Sequence, residues 1–315
     1  MVSIKRGISY LIYNKAQFFD SIVKNFLSWL PDKQYLSLRY RCQMGHWINW
    51  NNPKTFTEKI QWLKVYNRNP EYTTMVDKYT AKQYVAERIG EEYIIPTIGV
   101  WDKIEDIDWE VLPNQFVLKT THGGGSCGVV ICKDKMTFDK DFALAKLKDS
   151  LASDIYKGLR EWSYKNVPKR IIAEKYMSSE YTMKSSDDLV DYKFFCFNGE
   201  PVYCQVIRDR NTKETIDFYD MNWKHMPFVG LNPVVQNGLN PVVRPKKLDE
   251  MQKICRKLSV GKPFLRVDLY DINGKIYFGE MTFFPASGIG NFNPSEWQIK
   301  LGDLINIQPY LNKGV

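Results

Sequence analysis

The chain has 315 residues, 44% hydrophobic and 25% charged, enough for an extensive core in one large or two modest units and too apolar for a disordered chain. Forty-four Lys and Arg against 36 Asp and Glu leave a charge of +8, a modest excess that favours nucleotides, acidic glycans or an anionic membrane surface. With no dense basic block and no nucleic-acid-binding motif, nucleic acid is not an expected partner. The six cysteines, Cys42, Cys127, Cys132, Cys196, Cys204 and Cys255, form no C-x-x-C pair, so neither a zinc site nor a disulfide framework is expected and a reducing cytoplasm is the natural setting.

Residues 1–31 set Lys5, Arg6, Lys15 and Lys24 among Ile4, Ile8, Leu11, Phe18, Phe19, Phe26 and Trp29, with apolar residues recurring at three and four as in an amphipathic helix. Charges interrupt every window long enough to span a bilayer, and no cleavage site follows a clean apolar run; neither a transmembrane helix nor a signal peptide is expected. Such a helix either packs on its own protein or lies on the inner membrane face. Thr55-Phe56-Thr57-Glu58 has the form of a capping box and predicts a helix from Phe56 to Tyr66, on which Lys59 and Trp62 face a substrate or, more simply, lie on the helix surface. After Pro70, a helix over Thr80–Ile89 stops at Gly90.

Phe116-Val117-Leu118-Lys119 is a short β-prone run that passes into Thr120-Thr121-His122-Gly123-Gly124-Gly125-Ser126 and then a second strand, Gly128 to Cys132. A Gly-rich turn lets backbone N–H groups approach phosphates, and Lys119 at its entry can neutralise them. The Walker spacing and its following helix are absent, so this is not a P-loop. A plain hairpin tip beside a surface Lys is the simpler alternative, and a His in such a loop more often caps backbone than does chemistry. Phe138–Ile155 reads as a surface helix and Tyr156–Val167, with Glu161-Trp162, as a linking turn or short helix. Arg170–Met177 reads as a buried strand carrying two charges, Glu174 and Lys175.

Asn198-Gly199 marks a hairpin whose strands carry Asp191, Lys193 and Arg208. Asn211–Lys247, rich in Pro and Asn, reads as a long loop beside a site, and Asp249–Ser259 as a helix. Phe264–Tyr270 then turns at Asn273-Gly274 and returns as Lys275–Thr282, again the pattern of a hairpin. Arg266 and Asp268 lie two apart on one strand, Glu280 and Thr282 two apart on the other, and period-two geometry lets all four share a face. Two convergent carboxylates offer the hard oxygens that Mg²⁺ takes beside phosphates, and a guanidinium would steady an oxyanion. A salt-bridged solvent face explains the same residues, and the hairpin alone does not choose.

Taken in order, Asn52–Lys59, Asp77-Lys78-Tyr79, Phe116–Gly125, Asp191–Gly199 and Arg266–Ser287 resemble the ATP-grasp superfamily, and its TupA-like branch of bacterial surface-polysaccharide gene clusters in particular. The resemblance covers about Pro31 to Ile307. It implies an α+β fold, with a helical segment over 1–70, a small lobe with the Gly-rich loop over 71–169, and a large lobe over 170–315 holding a hinge strand and the metal hairpin, ATP lying between the lobes. Carried over residue by residue from carboxylate–amine ligases of the superfamily, it implies that Lys78 and Lys119 contact the phosphates and that Gly123, Gly124, Gly125 and Ser126 cover them. Glu174 and Lys175 would lie at the adenine, Glu180 at the ribose. Asp268 and Glu280 would bind Mg²⁺, Arg266 would stabilise a tetrahedral intermediate, and Lys193 and Arg208 would meet phosphate and acidic substrate. The usual Glu-x-Asn is Glu280-Met281-Thr282 here, so the third metal ligand departs from the pattern.

The implied reaction forms an acyl phosphate from ATP and a carboxylate and then an amide with an amine or amino acid. The branch implies an acidic sugar or amino sugar of a cell-surface polysaccharide precursor as substrate, in the cytoplasm, with residues 1–30 in contact with the inner membrane face or with polysaccharide-assembly proteins. A kinase that stops after phosphorylating a hydroxyl, and a non-catalytic glycan-binding protein, stay open; the clustered like charges on the hairpin argue against the latter.

Overall fold

The computed structural model describes residues 15–178, 189–208, 214–232 and 234–311; Glu180 and residues 1–14 lie outside them. Helix α1 (residues 15–26) is held to α2 (Asp32–Met44) by a two-pronged pair, Arg39 Nε and Nη2 donating to Asp20 Oδ1 and Oδ2 at 2.8 and 3.0 Å. One face of α1 thus packs on its own protein. Phe18, Phe19, Phe26 and Trp29 point away from it and are more than half exposed.

The capping box at Thr55 forms as expected: Thr55 Oγ1 accepts from Glu58 N at 3.2 Å, and Glu58 Oε2 accepts from Thr55 N at 3.1 Å, starting α3 (Phe56–Tyr66). The helix is not a surface element. Trp62 is 4% exposed, and Lys59 Nζ donates to the Ile305 carbonyl at 2.9 Å, so the pair expected on the helix surface is absorbed into packing. Phe56 is fully buried, its ring within 6.4 Å of those of Phe195, Phe197, Phe264 and Phe292. Helices α4 (Glu71–Val76) and α5 (Thr80–Ile89) follow.

Four antiparallel strands, β1 (Thr97–Trp101), β2 (Phe116–Thr120), β3 (Val129–Cys132) and β4 (Ile171–Lys175), form one sheet in the order β1-β4-β2-β3. Helix α6 (Lys140–Ala152) buries Ala143 and Leu147 against Phe116, Leu118, Val130 and Ala173 in a small core. A short helix, α7 (Ile155–Leu159), leads back toward β4.

The larger sheet is built from β5 (Asp191–Phe197), β6 (Glu200–Arg208) and β7 (Thr215–Asp220), then, after the short β8 (Val229–Gly230) and α8 (Leu248–Ser259), from β9 (Phe264–Ile272) and β10 (Lys275–Thr282). Its order is β10-β9-β5-β6-β7, all antiparallel. All seven residues of β5 are buried, as befits a central strand covered on both faces. Strand β11 (Phe292–Asn293) pairs with β8, and α9 (Trp297–Asp303) and α10 (Gln308–Leu311) close the chain.

Two expectations are corrected here. The Asn211–Lys247 segment is not one long loop: Thr215–Asp220 is the edge strand, with Ile216, Phe218 and Tyr219 buried, a six-residue β pattern outweighed in the sequence by the Pro and Asn around it. The helices before β1 do not join the smaller sheet; Phe56, Ile60, Leu63, Met75, Val76 and Val85 share one core with Phe194, Val206, Leu265 and Leu269 of the larger sheet.

Candidate active site

The metal hairpin owes its convergence to one extra residue. Around the Asn273-Gly274 turn the strands pair as Ile272 with Lys275, Tyr270 with Tyr277 and Leu269 with Phe278. Continued without interruption, that register would set Glu280 opposite Val267, on the face away from Asp268. A bulge at Gly279 shifts it, so that Asp268 pairs with Glu280 and Arg266 with Thr282. A Cβ on Gly279 would lie 2.9 Å from the Tyr270 ring and 3.1 Å from the Asp268 carbonyl, so the bulge needs a residue without one.

Arg266 binds the face together. Its Nε donates to Asp268 Oδ1 at 2.7 Å, and its Nη2 donates to Asp268 Oδ2 at 2.8 Å, Glu280 Oε1 at 2.6 Å and Thr282 Oγ1 at 3.0 Å. Strand β5 adds Lys193, the register partner of Asp268, whose Nζ contacts Asp268 Oδ2 and also Asp191 Oδ2 at 2.6 Å. Burial pushes the Asp268 carboxyl up to about 6, with Asp191 and Glu280 adding to the rise and Arg266 and Lys193 opposing it. Burial acts the same way on Glu280, but Arg266, Lys193 and Lys78 outweigh it and bring that carboxyl down to about 2.

The smaller sheet brings a second set of charges. Lys119 on β2 and Glu174 on β4 meet at 2.5 Å, and Lys82 of α5 reaches the other Glu174 oxygen at 2.6 Å. Burial raises the Glu174 carboxyl, and the two lysines more than offset it, leaving it at about 2. Lys78, between α4 and α5, has its backbone N–H on the Thr121 carbonyl at 3.0 Å and its ammonium on the Gly123 carbonyl. Burial lowers its pKa, while Glu280 from one sheet and Glu174 from the other pull it back up. Lys78 is the charge common to both halves.

The Gly-rich loop runs from the buried Gly123 through exposed Gly124, Gly125 and Ser126. A Cβ on Gly123 or Gly128 would lie 2.6 or 2.2 Å from Thr120 Oγ1, so the ends of the loop demand glycine for space, and Gly125, at φ +60°, demands it in the middle for its backbone. His122 is buried with one ring nitrogen 3.1 Å from the Ser150 carbonyl, the backbone contact expected of it.

Not every expected residue joins the cluster. Arg208 pairs with Thr215, next to Val206 opposite Asp217; by strand alternation it lies on the face away from Lys193 and Asp268. There its Nη2 donates to Asp217 Oδ2 at 2.9 Å. Lys175 likewise alternates away from Glu174, is exposed, and lines a separate hollow of about 500 Å³ with Pro96, Ile98, Asn114 and Tyr176. Glu180 is outside the described residues. Sequence reading also missed partners: Lys82, detectable as the residue four beyond Lys78 on the following helix, and Glu161, buried in the field of Arg266 and Glu280, for which no local motif gives a signal.

Two antiparallel sheets with their helices, one presenting Arg266, Asp268 and Glu280 and the other Lys119 and Glu174, with Lys78 in the field of both, define a nucleotide-grasping class of fold. The chain belongs to the TupA-like ATPgrasp family, whose model matches residues 58–306. It is 22% identical over 156 residues to a D-alanine--D-alanine ligase of Campylobacter jejuni, a stretch covering 49% of this chain and 43% of that protein; the chain spans less than half the length of that curated relative. Among solved structures it is similar to the D-alanine--D-alanine ligase of Bacillus anthracis (19% identity, 76% of this chain and 68% of the other, TM-score 0.45). It is also similar to the ATP-grasp ligase PsnB complexed with minimal precursor, Mg and ADP (10% identity, 79% and 60%, TM-score 0.37).

Proposed function

We propose that this protein is an ATP- and Mg²⁺-dependent carboxylate–amine ligase. The observation that carries the reading is the face on which Arg266 ties Asp268 to Glu280 while Lys78 stands between that face and the Lys119–Glu174 pair. Lys119 and Lys78 would hold the nucleotide phosphates, each a compact charge suited to a phosphate oxygen. The Gly-rich loop would cover them against water.

Asp268, Glu280 and Thr282 offer two carboxylates and a hydroxyl on one face, a set of hard oxygens that fits Mg²⁺. The fit has a physical sign: burial above all, with Asp191 and Glu280 adding to it, leaves Asp268 with a raised pKa although Arg266 and Lys193 both touch it, and a divalent cation would favour its charged form. A bound Mg²⁺ would supply charge withdrawal from the transferring phosphoryl group. Arg266, with its planar fork, would face the oxyanion formed when an amine attacks the acyl phosphate, and Lys193 the phosphate beside it.

We infer further that the carboxylate or the amine belongs to a cell-surface polysaccharide precursor, such as a uronic acid or amino sugar joined to an amino acid; family kinship supports this. No helix among the described residues is long and apolar enough to cross a membrane. The exposed Phe18, Phe19, Phe26 and Trp29 support a peripheral contact with the inner membrane face or with assembly proteins.

The test is chemical. With ATP, Mg²⁺, a panel of acidic sugars and hydroxylamine in place of the amine, a hydroxamate is expected from the trapped acyl phosphate. A stable phosphate ester with no amine requirement would replace this reading with the kinase one.

A further inference from the structure

Helix α3 sends two buried polar side chains to one place. Gln61 Nε2 donates to the carbonyls of Ser287 and Gly288, both at 2.8 Å. Lys64 Nζ donates to the Ser287 carbonyl at 2.8 Å, the Ser287 hydroxyl at 2.7 Å and the Leu159 carbonyl at 2.9 Å. An ammonium has three protons and no acceptor, so these oxygens satisfy it. Gln61 and Lys64 are each 1% exposed.

What they hold is strained. Ala286 and Ser287 have φ of +46° and +52°, followed by Gly288 at +64°, and a residue with a Cβ enters that region only where its surroundings enforce it. This turn follows directly on the strand that carries Glu280 and Thr282, with Ala286 exposed and Ser287 half-buried. Glu161 connects it to the site: its buried carboxylate lies in the fields of Lys64, Arg266 and Glu280 and close to the Ser287 side chain.

We propose that Lys64 and Gln61 are positioning residues of the reaction, locking the Ala286–Gly288 turn beside the Arg266–Glu280 cluster where the acceptor would enter, and that the positive charge on Lys64 keeps the lock closed. This rests on the ligase reading. The groups facing Lys64 are Arg39 from α2, Glu161 from the segment after α7, and Ser287 itself. Burial brings the Lys64 ammonium down to about 7, with Glu161 opposing and Arg39 assisting. A neutral amine keeps two protons for the two carbonyls and can only accept at its lone pair, so as pH rises through neutrality the contact with the Ser287 hydroxyl must reverse and all three lose their charge assistance.

Hydrogen exchange over residues 284–289 of the full chain, corrected for intrinsic base catalysis, tests this at about pH 6 and about pH 8.5, either side of the expected titration. Wild-type protection is expected to be greater at the lower pH by about tenfold, as for a charge-assisted hydrogen bond. Lys64→Arg should stay protected at both values and Lys64→Met at neither. Ser287→Ala, which removes only the hydroxyl contact, should shrink the pH step even if Lys64→Met fails to fold. A wild-type turn equally protected at both values, or an undiminished step in Ser287→Ala, overturns the clamp. So does unaltered ADP release from ATP and Mg²⁺, with the panel of acidic sugars and hydroxylamine present, in a variant whose turn has opened. Calorimetry with ATP and Mg²⁺ on the same proteins keeps the two ideas apart: loss of binding in the wild type strikes the ligase reading alone, and retained binding in an open-turn variant leaves that reading standing.

Discussion

Asp268 and Glu280 stand opposite each other because their hairpin holds Gly279 as a bulge. Deleting Gly279 moves Glu280 into its place, still opposite Asp268, so Mg²⁺-dependent ADP release should largely survive. Gly279→Ala keeps the extra residue and adds a Cβ 2.9 Å from the Tyr270 ring, so it should disturb the Asp268–Glu280 pairing and lower ADP release. ADP release together with circular dichroism checks this; full activity in Gly279→Ala would mean that the bulge does not set the position of Glu280.

Removing the Arg266 fork should be costly twice over. Arg266→Ala leaves Asp268 and Glu280 without their shared cation, and breaking a pair of this kind costs about 3–5 kcal/mol, less here because the Glu280 side chain is 37% exposed. Arg266→Lys keeps the charge and loses the two-pronged contact. It should recover most of the melting temperature while hydroxamate formation stays low, and equal recovery of both would make the residue structural.

For Lys119→Ala, ATP binding should weaken by about 1.5–3 kcal/mol, the range of a charge-assisted contact, with a smaller effect on adenosine. Calorimetry with the two ligands separates a phosphate contact from general damage to the lobe.

Glu174 gives a pH dependence of stability with a definite sign. Its carboxyl lies at about 2 in the folded protein against an ordinary 4.5, so its contribution is present above the ordinary value and is lost as pH falls through that interval. Glu174→Gln should therefore melt well below wild type at neutral pH, and the gap should close on acidification. A gap that does not change with pH would assign the loss to packing.

Phe56 lies where three aromatic rings of the larger sheet and that of Phe292 on β11 converge. Phe56→Ala should cost about 3–5 kcal/mol in denaturant unfolding, far more than the exposed Phe26→Ala.

Local chemistry was the legible part of this chain. The capping box at Thr55, the stop at Gly90, the turns at Asn198-Gly199 and Asn273-Gly274 and the strand before the Gly-rich loop each depend on a few adjacent residues, and each is where the sequence puts it. Period two alone brought Arg266, Asp268, Glu280 and Thr282 to one face, but with a two-residue turn that argument holds only through the bulge, which a lone Gly inside a strand merely permits. Arg208 shows the reverse: its position beside Lys193 in a hairpin was readable, whereas its face depends on register and on Asp217, supplied by a strand hidden among Pro and Asn. Lys64 and Glu161 meet near Ser287 from distant parts of the chain, and no spacing records such a meeting.

The pairing of β1 with β4 brings Thr97 opposite Glu174, and the Lys175 amide donates to the Pro96 carbonyl at 3.0 Å. The chain therefore enters and leaves the smaller sheet through one doorway, and between the two it returns to the body once, over 155–167, where Leu159 meets Lys64 and Val167 joins the larger core. Residues 97–175 are in this sense a cassette with two fastenings. A related lobe exchanged at that doorway would carry Lys119, Glu174 and the Gly-rich loop with it and leave Arg266, Asp268 and Glu280 behind, but it would have to reproduce the 155–167 contacts to seat on the same body.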